Sequence, residues 1–299
     1  MKHKITVFTP TYNRAYIISN LYLSLKRQSF CDFEWLVIDD GSTDETESLF
    51  EQWSCQENDF SIRYYKQKNG GKCRAINRAL ELADGEVFFT VDSDDYLTDD
   101  ALIKVNRWFE DIAGEEQLAG IVANRGDSSS HTENYCFSEP YLDKSLLDIY
   151  SFKRNGKRVF DGERAFVFYT DLHRKYLYPE FENETFMTEA VTWNRMAKDG
   201  YKMRFYNDII WVYEYKDDGL TKAGSKMFLN NPRGYGLWLK EKAEFEHASA
   251  GEMLKMYYTF TCDLSELYDS KKISECIMAP RFLISIMNMI HKIVHVFRI

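Results

Sequence analysis

Glu86-Val87-Phe88-Phe89-Thr90-Val91-Asp92-Ser93-Asp94-Asp95 carries more information than any other stretch of this chain. Its first six residues form an apolar, β-rich run that predicts a buried strand. The strand then ends in three carboxylates within four positions. Such groups repel one another and resist desolvation unless positive charge sits among them. A divalent cation is the simplest solution, and oxygen-only ligands favour Mg²⁺ or Mn²⁺ over zinc. An ion held by one or two carboxylates keeps positions open for substrate phosphates. The expectation is therefore a metal-dependent enzyme acting on a phosphorylated substrate. The alternative is a helix N-cap, with Asp and Ser preceding Tyr96-Leu97-Thr98, for which one Asp would suffice.

The strand belongs to a series. Strand-like runs cover 4–9, 34–38, 61–66, 86–91 and 118–123, with helix-like runs at 15–28, 43–54, 71–83 and 98–112 between them. Gly41-Ser42-Thr43-Asp44 is a turn and cap signal, and Asp84-Gly85 ends the third helix. Alternation at these lengths implies βαβ units: an α/β fold with a mostly parallel sheet covered on both faces. From about 126 to 165 the sequence is polar and loop-like. A helical segment follows near 185–199, then strand-like 201–206 and 209–215, and beyond 226 the chain reads as helical. There is no internal repeat and no clear linker. The expected organisation is one compact domain over 1–225 with a helical C-terminal extension over 226–299.

The bulk properties narrow the function. With 44% apolar and 16% aromatic residues, 299 residues can bury a sizeable core. A net charge of −9 argues against a nucleic-acid binder, which would present a basic face. The six cysteines form no C-x-x-C pair and no metal spacing, as expected of reduced thiols in the cytoplasm. No secretory h-region precedes Ile5-Thr6-Val7-Phe8, and no apolar run reaches the ~20 residues needed to span a bilayer. The sequon Asn183-Glu184-Thr185 carries no weight without a secretory signal.

In open α/β sheets ligands bind beyond the carboxyl ends of the strands. The first strand runs into Thr9-Pro10-Thr11-Tyr12-Asn13-Arg14, the second ends in Asp39-Asp40-Gly41-Ser42, and the fourth in the carboxylates; a parallel sheet puts all three on one rim. Each also has a plain structural reading, Tyr12 as core and Asp40-Gly41 as a turn. Neither G-x-G-x-x-G nor G-x-x-x-x-G-K-[ST] occurs at the first strand's end. Asn69-Gly70-Gly71-Lys72 opens the third helix and could offer backbone N–H groups and an ammonium to an anion, or serve only the turn. Without a P-loop, a bound diphosphate would need the metal for neutralisation.

Together these motifs resemble family 2 glycosyltransferases. Thr9 to Arg14, Val37-Ile38-Asp39-Asp40-Gly41-Ser42-Thr43-Asp44, Asn69 to Lys72 with Ala75 and Asn77, and Asp92 to Asp95 follow one another in the family's order over about the first 110 residues. The resemblance implies a GT-A fold, a nucleotide-sugar donor (most often a UDP-sugar), Mn²⁺ or Mg²⁺, and inversion at the anomeric carbon. It implies that Pro10, Thr11 and Tyr12 line the nucleobase pocket and that Asp40 hydrogen-bonds the base. Arg14, Gly71, Lys72, Asn77 and Ser93 join the donor site, Asp92 contacts the ribose or sugar, and Asp94 ligates the metal. In Phe186-Met187-Thr188-Glu189-Ala190 the family's usual second acid is replaced by Ala190, which leaves Glu189 as the general base and Glu182 and Glu184 as rivals. Tyr215-Lys216-Asp217-Asp218-Gly219-Leu220-Thr221 resembles a loop that closes over the donor, or is a polar turn. The acceptor implied is a glycan or lipid-linked glycan of bacterial surface polysaccharide synthesis.

After Glu275 the chain has no acid, and 278–299 mixes Arg281, Lys292 and Arg298 with large apolar residues. Such a helix either lies in a membrane interface or packs on the core. The basic run Lys153-Arg154-Asn155-Gly156-Lys157-Arg158 either meets an anionic surface or is a solvated loop. Two rival functions are a haloacid-dehalogenase-type phosphatase, whose Asp-x-Asp follows the first strand rather than the fourth, and a non-catalytic sugar-nucleotide binder.

Overall fold

The computed structural model describes residues 2–149, 151–154, 156–160, 162–213 and 224–296. The notable 215–221 stretch lies outside them. Contacts divide the chain into two compact units, Met1–Leu177 with Asp199–Lys216, and Tyr178–Lys198 with Asp217–Ile299. The segment carrying Glu189 thus packs with the C-terminal helices, whereas the sequence places it with the sheet.

In the first unit β1 (His3–Thr11), β2 (Phe33–Asp39), β3 (Ser61–Lys66) and β4 (Gly85–Thr90) alternate with α1 (Ser19–Lys26), α2 (Thr46–Ser54) and α3 (Lys72–Leu82). There follow β5 (Tyr96–Leu97), α4 (Ala101–Asp111), β6 (Leu118–Gly126), β7 (Leu142–Lys144), and the small hairpin β8 (Lys153–Arg154) and β9 (Lys157–Arg158). Last come β10 (Arg164–Tyr169), α5 (Thr170–His173) and β11 (Lys202–Val212). The main sheet runs β3-β2-β1-β4-β10-β6-β11-β5, with β7 also pairing β11. The pairs β1–β2, β2–β3, β1–β4 and β6–β11 are parallel. β10 is antiparallel to both β4 and β6, so the sheet is mixed.

β10 is the element the sequence pattern hid. It enters between β4 and β6, and the fit is close: a Cβ on Gly120 would stand 2.0 Å from the Val167 carbonyl oxygen. Where the sequence suggests two runs, at 201–206 and 209–215, the described residues form one strand over Lys202–Val212, β11, whose pairing with β6 slips between Phe205 and Ile209. Along β1 side chains alternate: Ile5 and Val7 enter the core built by α1, α2 and α4 around Trp35, Phe50 and Trp53. Thr6 and Phe8 face the other side, where Phe8 stacks on Phe88 at 5.3 Å and Thr6 bonds Glu34. Helix α4 begins only at Ala101, after Tyr96-Leu97 have paired with β11. The carboxylates at 92–95 therefore do not cap it.

The second unit holds α6 (Ala190–Lys198), α7 (Ser225–Asn230), α8 (Pro232–Phe245), α9 (Ala250–Leu264), α10 (Ser270–Ile277) and α11 (Arg281–Val296). Phe260, Leu264, Ile273, Ile277, Ile284 and Met287 form its core. Local signals fix the helix starts. Ser249 and Glu252 make a capping box on α9, Asp269 caps α10, and Pro232 opens α8. Arg195 of α6 forms a two-pronged ion pair with Glu241 of α8, at 2.9 and 2.7 Å. α11 has two apolar faces: Ile284 and Met287 are buried, while Phe282 (69% exposed), Ile286, Met289, Ile290 and Ile293 face outward at helical spacing. No helix among the described residues is long and apolar enough to cross a membrane.

Candidate active site

The parallel register sets Thr11 beside Asp39 and Phe8 beside Thr90, so the ends of β1, β2 and β4 share one rim, as the sequence predicts. Polar bonds join the loops there. Asn13, at φ +52°, takes a hydrogen bond from Thr43 N–H and gives its own N–H to Ser42 Oγ, each at 2.8 Å. Asp44 accepts from Ala15 N–H at 3.0 Å and Thr46 Oγ1 at 2.6 Å. Burial would raise the Asp44 pKa, but the hydrogen bonds from Thr46 and Ala15 hold it below the usual carboxylate value. With the loop fixed in this way, Tyr12 is held 49% exposed at the rim and is not a core residue. Pro10 is half-buried and Thr11 is buried, its Oγ1 lacking a hydrogen-bond partner among the described residues.

The glycine turn is arranged differently from the sequence expectation. Asp40 is buried and turned onto it, accepting Gly70 N–H at 2.9 Å, Gly71 N–H at 2.7 Å and Gln67 Nε2 at 2.8 Å. Gly71 sits at φ +91°, ψ 161°, a conformation open to glycine alone. The backbone donors proposed for an anion are thus engaged by Asp40, and most of Asp40's hydrogen-bonding capacity is used in shaping the turn. Lys72 Nζ likewise bonds Asp92 Oδ1 at 2.7 Å. Asn77, on α3, and Ser93, beside Asp92, are both buried.

The positive charge demanded by the three carboxylates comes in part from the protein. Arg125, at the end of β6, has no local sequence signal that marks it as part of the rim. Its guanidinium bonds Asp95 Oδ2, approaches Asp92 Oδ2 at 3.8 Å and Glu163 at 3.2 Å, and lies 4.0 Å over the Trp211 ring. Trp211 Nε1 donates to the same Asp95 oxygen at 2.7 Å. Burial would raise the Asp92 pKa, but Lys72 and Arg125 hold it below the ordinary range. Burial pushes Asp95 up to about 7, against Arg125 and with the repulsion of Asp92 and Asp94. Asp95 is a buried structural acid; it anchors the turn to β11.

Asp94 differs from its neighbours. Arg14 Nη2 stands 3.8 Å from its Oδ2, and its carboxylate is 22% exposed. A solvent-accessible oxygen ligand with a loose partner suits Mg²⁺ or Mn²⁺, which takes one or two carboxylates and completes its shell with phosphate oxygens and water. Among the described residues no group of three or more His, Cys, Asp or Glu gathers to form an all-protein cage. The residues present therefore fit an ion that brings most of its oxygen ligands with it, and of the three carboxylates Asp94 is the one that would hold it.

In the second unit Glu189 is half-buried immediately before α6, and its carbonyl accepts Thr192 Oγ1 at 3.1 Å. Of its rivals, Glu182 is exposed. Glu184 is buried and accepts Arg233 N–H at 2.8 Å and Gly234 N–H at 2.9 Å, so it caps α8. In the basic hairpin, Arg154 is paired with Glu139 at 2.7 Å.

Comparison with known proteins places the chain in a family and supports its fold. The model of glycosyl transferase family 2 matches residues 6–177. Glycosyltransferase GlyG of Streptococcus pneumoniae serotype 4 is 23% identical over 282 residues, 93% of this chain and 82% of its own. The GalNAc(5)-diNAcBac-PP-undecaprenol beta-1,3-glucosyltransferase of Campylobacter jejuni is 29% identical over 238 residues, 75% and 69% of the two chains. Staphylococcus aureus TarS 1–349 in complex with UDP-GlcNAc superposes with a TM-score of 0.55 at 20% identity, over 97% of this chain and 90% of that one. The mannosyltransferase PcManGT of Pyrobaculum calidifontis, in complex with GDP-Man and Mn²⁺, does so at 0.52 and 19% identity, over 97% and 88%. At such identities the structural likeness speaks for the fold, which is the GT-A-like α/β arrangement expected. The family match takes in β1 through α5, every strand end of the rim but that of β11, and more than half of the chain: this protein belongs to glycosyl transferase family 2.

Proposed function

We propose that the protein transfers a sugar, with inversion, from a UDP-sugar to a hydroxyl of a glycan or lipid-linked glycan in bacterial surface polysaccharide synthesis. The observation that carries the proposal is the rim itself, where an exposed aromatic, Tyr12, shares strand ends with Asp92, Asp94, Lys72 and Arg14. Tyr12 offers a face on which a nucleobase stacks. Asp40 holds the glycine turn in shape beside it, and Asp92 meets the ribose or sugar. Lys72 and Arg14 supply charge to the diphosphate. Glu189 accepts the proton of the acceptor hydroxyl as that oxygen attacks the anomeric carbon, and the nucleoside diphosphate departs on the opposite side. Mn²⁺ or Mg²⁺, held by Asp94, supplies Lewis-acid stabilisation to the leaving diphosphate.

A thermal-shift screen of UDP- and GDP-sugars with Mn²⁺, followed by assay of sugar release from labelled donors, tests the reading. A UDP-sugar raises the melting temperature, because a ligand that binds only the folded state stabilises it, and the labelled sugar is released. No shift with any donor defeats the proposal; a shift without release or transfer leaves a sugar-nucleotide binder.

The outward face of α11, with Arg281 and Lys292 also exposed and no acid after Glu275, is the surface by which the protein meets the inner face of the cell membrane. Flotation with vesicles containing anionic lipid is expected for the full chain and is expected to be lost in Phe282→Ser/Ile286→Ser/Ile293→Ser. Equal flotation by the triple variant would exclude this face.

A further inference from the structure

The asparagine that precedes α8 does not cap its own helix. Asn231 occupies the position from which asparagine normally accepts an N–H of the first turn, yet its side chain makes no such bond. Glu184 does that work, accepting the N–H groups of Arg233 and Gly234. The Asn231 side chain turns instead to the segment that leads into Glu189. Its Oδ1 accepts Thr185 N–H at 2.8 Å and Phe186 N–H at 3.1 Å, and its Nδ2 donates to the Met227 carbonyl at 2.7 Å. We propose that Asn231 is a positioning residue for Glu189: it touches no substrate, and it sets where the general base stands. The inference rests on the reading that Glu189 is that base.

Three observations tie the two residues together. First, the connection is short and has little slack. Only Met187 and Thr188 separate Phe186 from Glu189. Met187 is buried, and Thr188 opens α6 by accepting Ala190 N–H on Oγ1 at 3.4 Å and Val191 N–H on its carbonyl at 3.2 Å. Second, the anchor is firm. Asn231 is buried, the Phe186 ring meets Phe228 edge-on at 5.2 Å, and a Cβ on Gly234 would stand 3.2 Å from the Phe186 carbonyl oxygen. Third, α6 is held to α8 further along by the Arg195–Glu241 pair, so Asn231 governs its start.

Without the Asn231 oxygen the N–H groups of Thr185 and Phe186 must find other partners, and the segment shifts to reach them. A general base works only within hydrogen-bond reach of the proton that it takes. The Glu184 bonds satisfy α8, and a glutamine there keeps an oxygen for them, so the segment stays in place.

The test uses the full chain as wild type, Asn231→Ser and Asn231→Asp, each alone and combined with Glu189→Gln. It measures UDP binding and single-turnover sugar release, with Mn²⁺, from the labelled UDP-sugar selected by thermal shift. Serine is a preferred N-cap but too short to span to 185–186. Aspartate keeps an acceptor for both N–H groups and gives up the bond to Met227. Asn231→Ser lowers the rate about tenfold, less than the ~10²-fold that a 1 Å misplacement can cost, and leaves UDP binding within about twofold. Asn231→Asp recovers at least about half of the wild-type rate, because the two bonds to the segment remain. In the Glu189→Gln background the serine substitution costs less than about twofold, since residues that act through one group are not additive. A wild-type rate in Asn231→Ser overturns the proposal, as does an equal loss in both backgrounds or a loss in Asn231→Asp as large as in Asn231→Ser. Asn231→Ala loses the same bonds and decides the matter in the same way should the serine variant not fold. If Glu189→Gln alone releases sugar at the wild-type rate, the reading of Glu189 as the base fails and this inference with it; a loss in Glu189→Gln without coupling to Asn231 defeats this inference alone.

Discussion

Glu189→Gln lowers sugar transfer by at least about 10²-fold while leaving UDP binding measurable, the loss expected when a general base is removed and nothing else is disturbed. Glutamine keeps the shape of the side chain and cannot accept the proton. Asp94→Ala lowers transfer at least as far, but by another route: Mn²⁺ binding is lost with it. Glu184→Gln is the control. Glu184 spends its carboxylate on two N–H groups of α8, so its replacement costs stability of about 0.5–2 kcal/mol, the range for a helix cap, and leaves transfer per folded molecule intact. Single-turnover transfer assays beside nucleotide titrations separate the three. Near wild-type transfer by Glu189→Gln removes it from the mechanism.

Glu34→Ala destabilises the protein by about 3–5 kcal/mol, a large part of the 5–15 kcal/mol typical of a folded protein. Glu34 is fully buried in β2, at the end of the strand opposite Asp39 and Asp40. Its oxygens accept Thr6 Oγ1 at 2.6 Å, Asp84 N–H at 2.6 Å and Arg63 Nη1 at 2.7 Å. Removing the carboxylate takes the acceptor from a buried hydroxyl, a part-buried N–H and the arginine together. Arg63 keeps Asp84 Oδ2 at 3.3 Å and the Leu82 carbonyl at 2.9 Å, which places the effect at the lower end of the range. Urea denaturation measures it. A midpoint equal to wild type would show that the network contributes little.

The first half of the fold was legible because each of its elements is local: strands of β-branched and aromatic residues, helices of the right length, and turns marked by Gly41 and Asp84-Gly85. The rim was legible for the same reason, since parallel pairing turns three separate strand ends into one place. What stayed hidden depends on contacts distant in sequence. Ala165-Phe166-Val167-Phe168-Tyr169 has strand composition, but the polar stretch before it masks a short run, and only its pairing with β4 and β6 makes it central. Arg125 looks ordinary until Trp211, some 86 positions later, supplies the ring on which it lies. The carboxylates at 92–95 did require positive charge, but no sequence pattern shows that Lys72, Arg125 and Arg14 each supply some of it. Glu184 and Glu189 are indistinguishable by composition; the backbone of α8 tells them apart.

The reversed direction of β10 has a consequence for how the chain is made. A strand that enters antiparallel between β4 and β6 must arrive after both, because it is the later segment in sequence. Until Tyr169 has left the ribosome, β4 and β6 each present a raw edge of unpaired N–H and C=O groups, the kind that pairs with other chains. The join from Phe89 to Val167 closes a loop of nearly eighty residues, which makes it a slow step in folding. Assembly is therefore most exposed to aggregation during synthesis of the polar stretch over 127–163, and its many charged and hydroxyl side chains help keep the growing chain soluble while the edges wait.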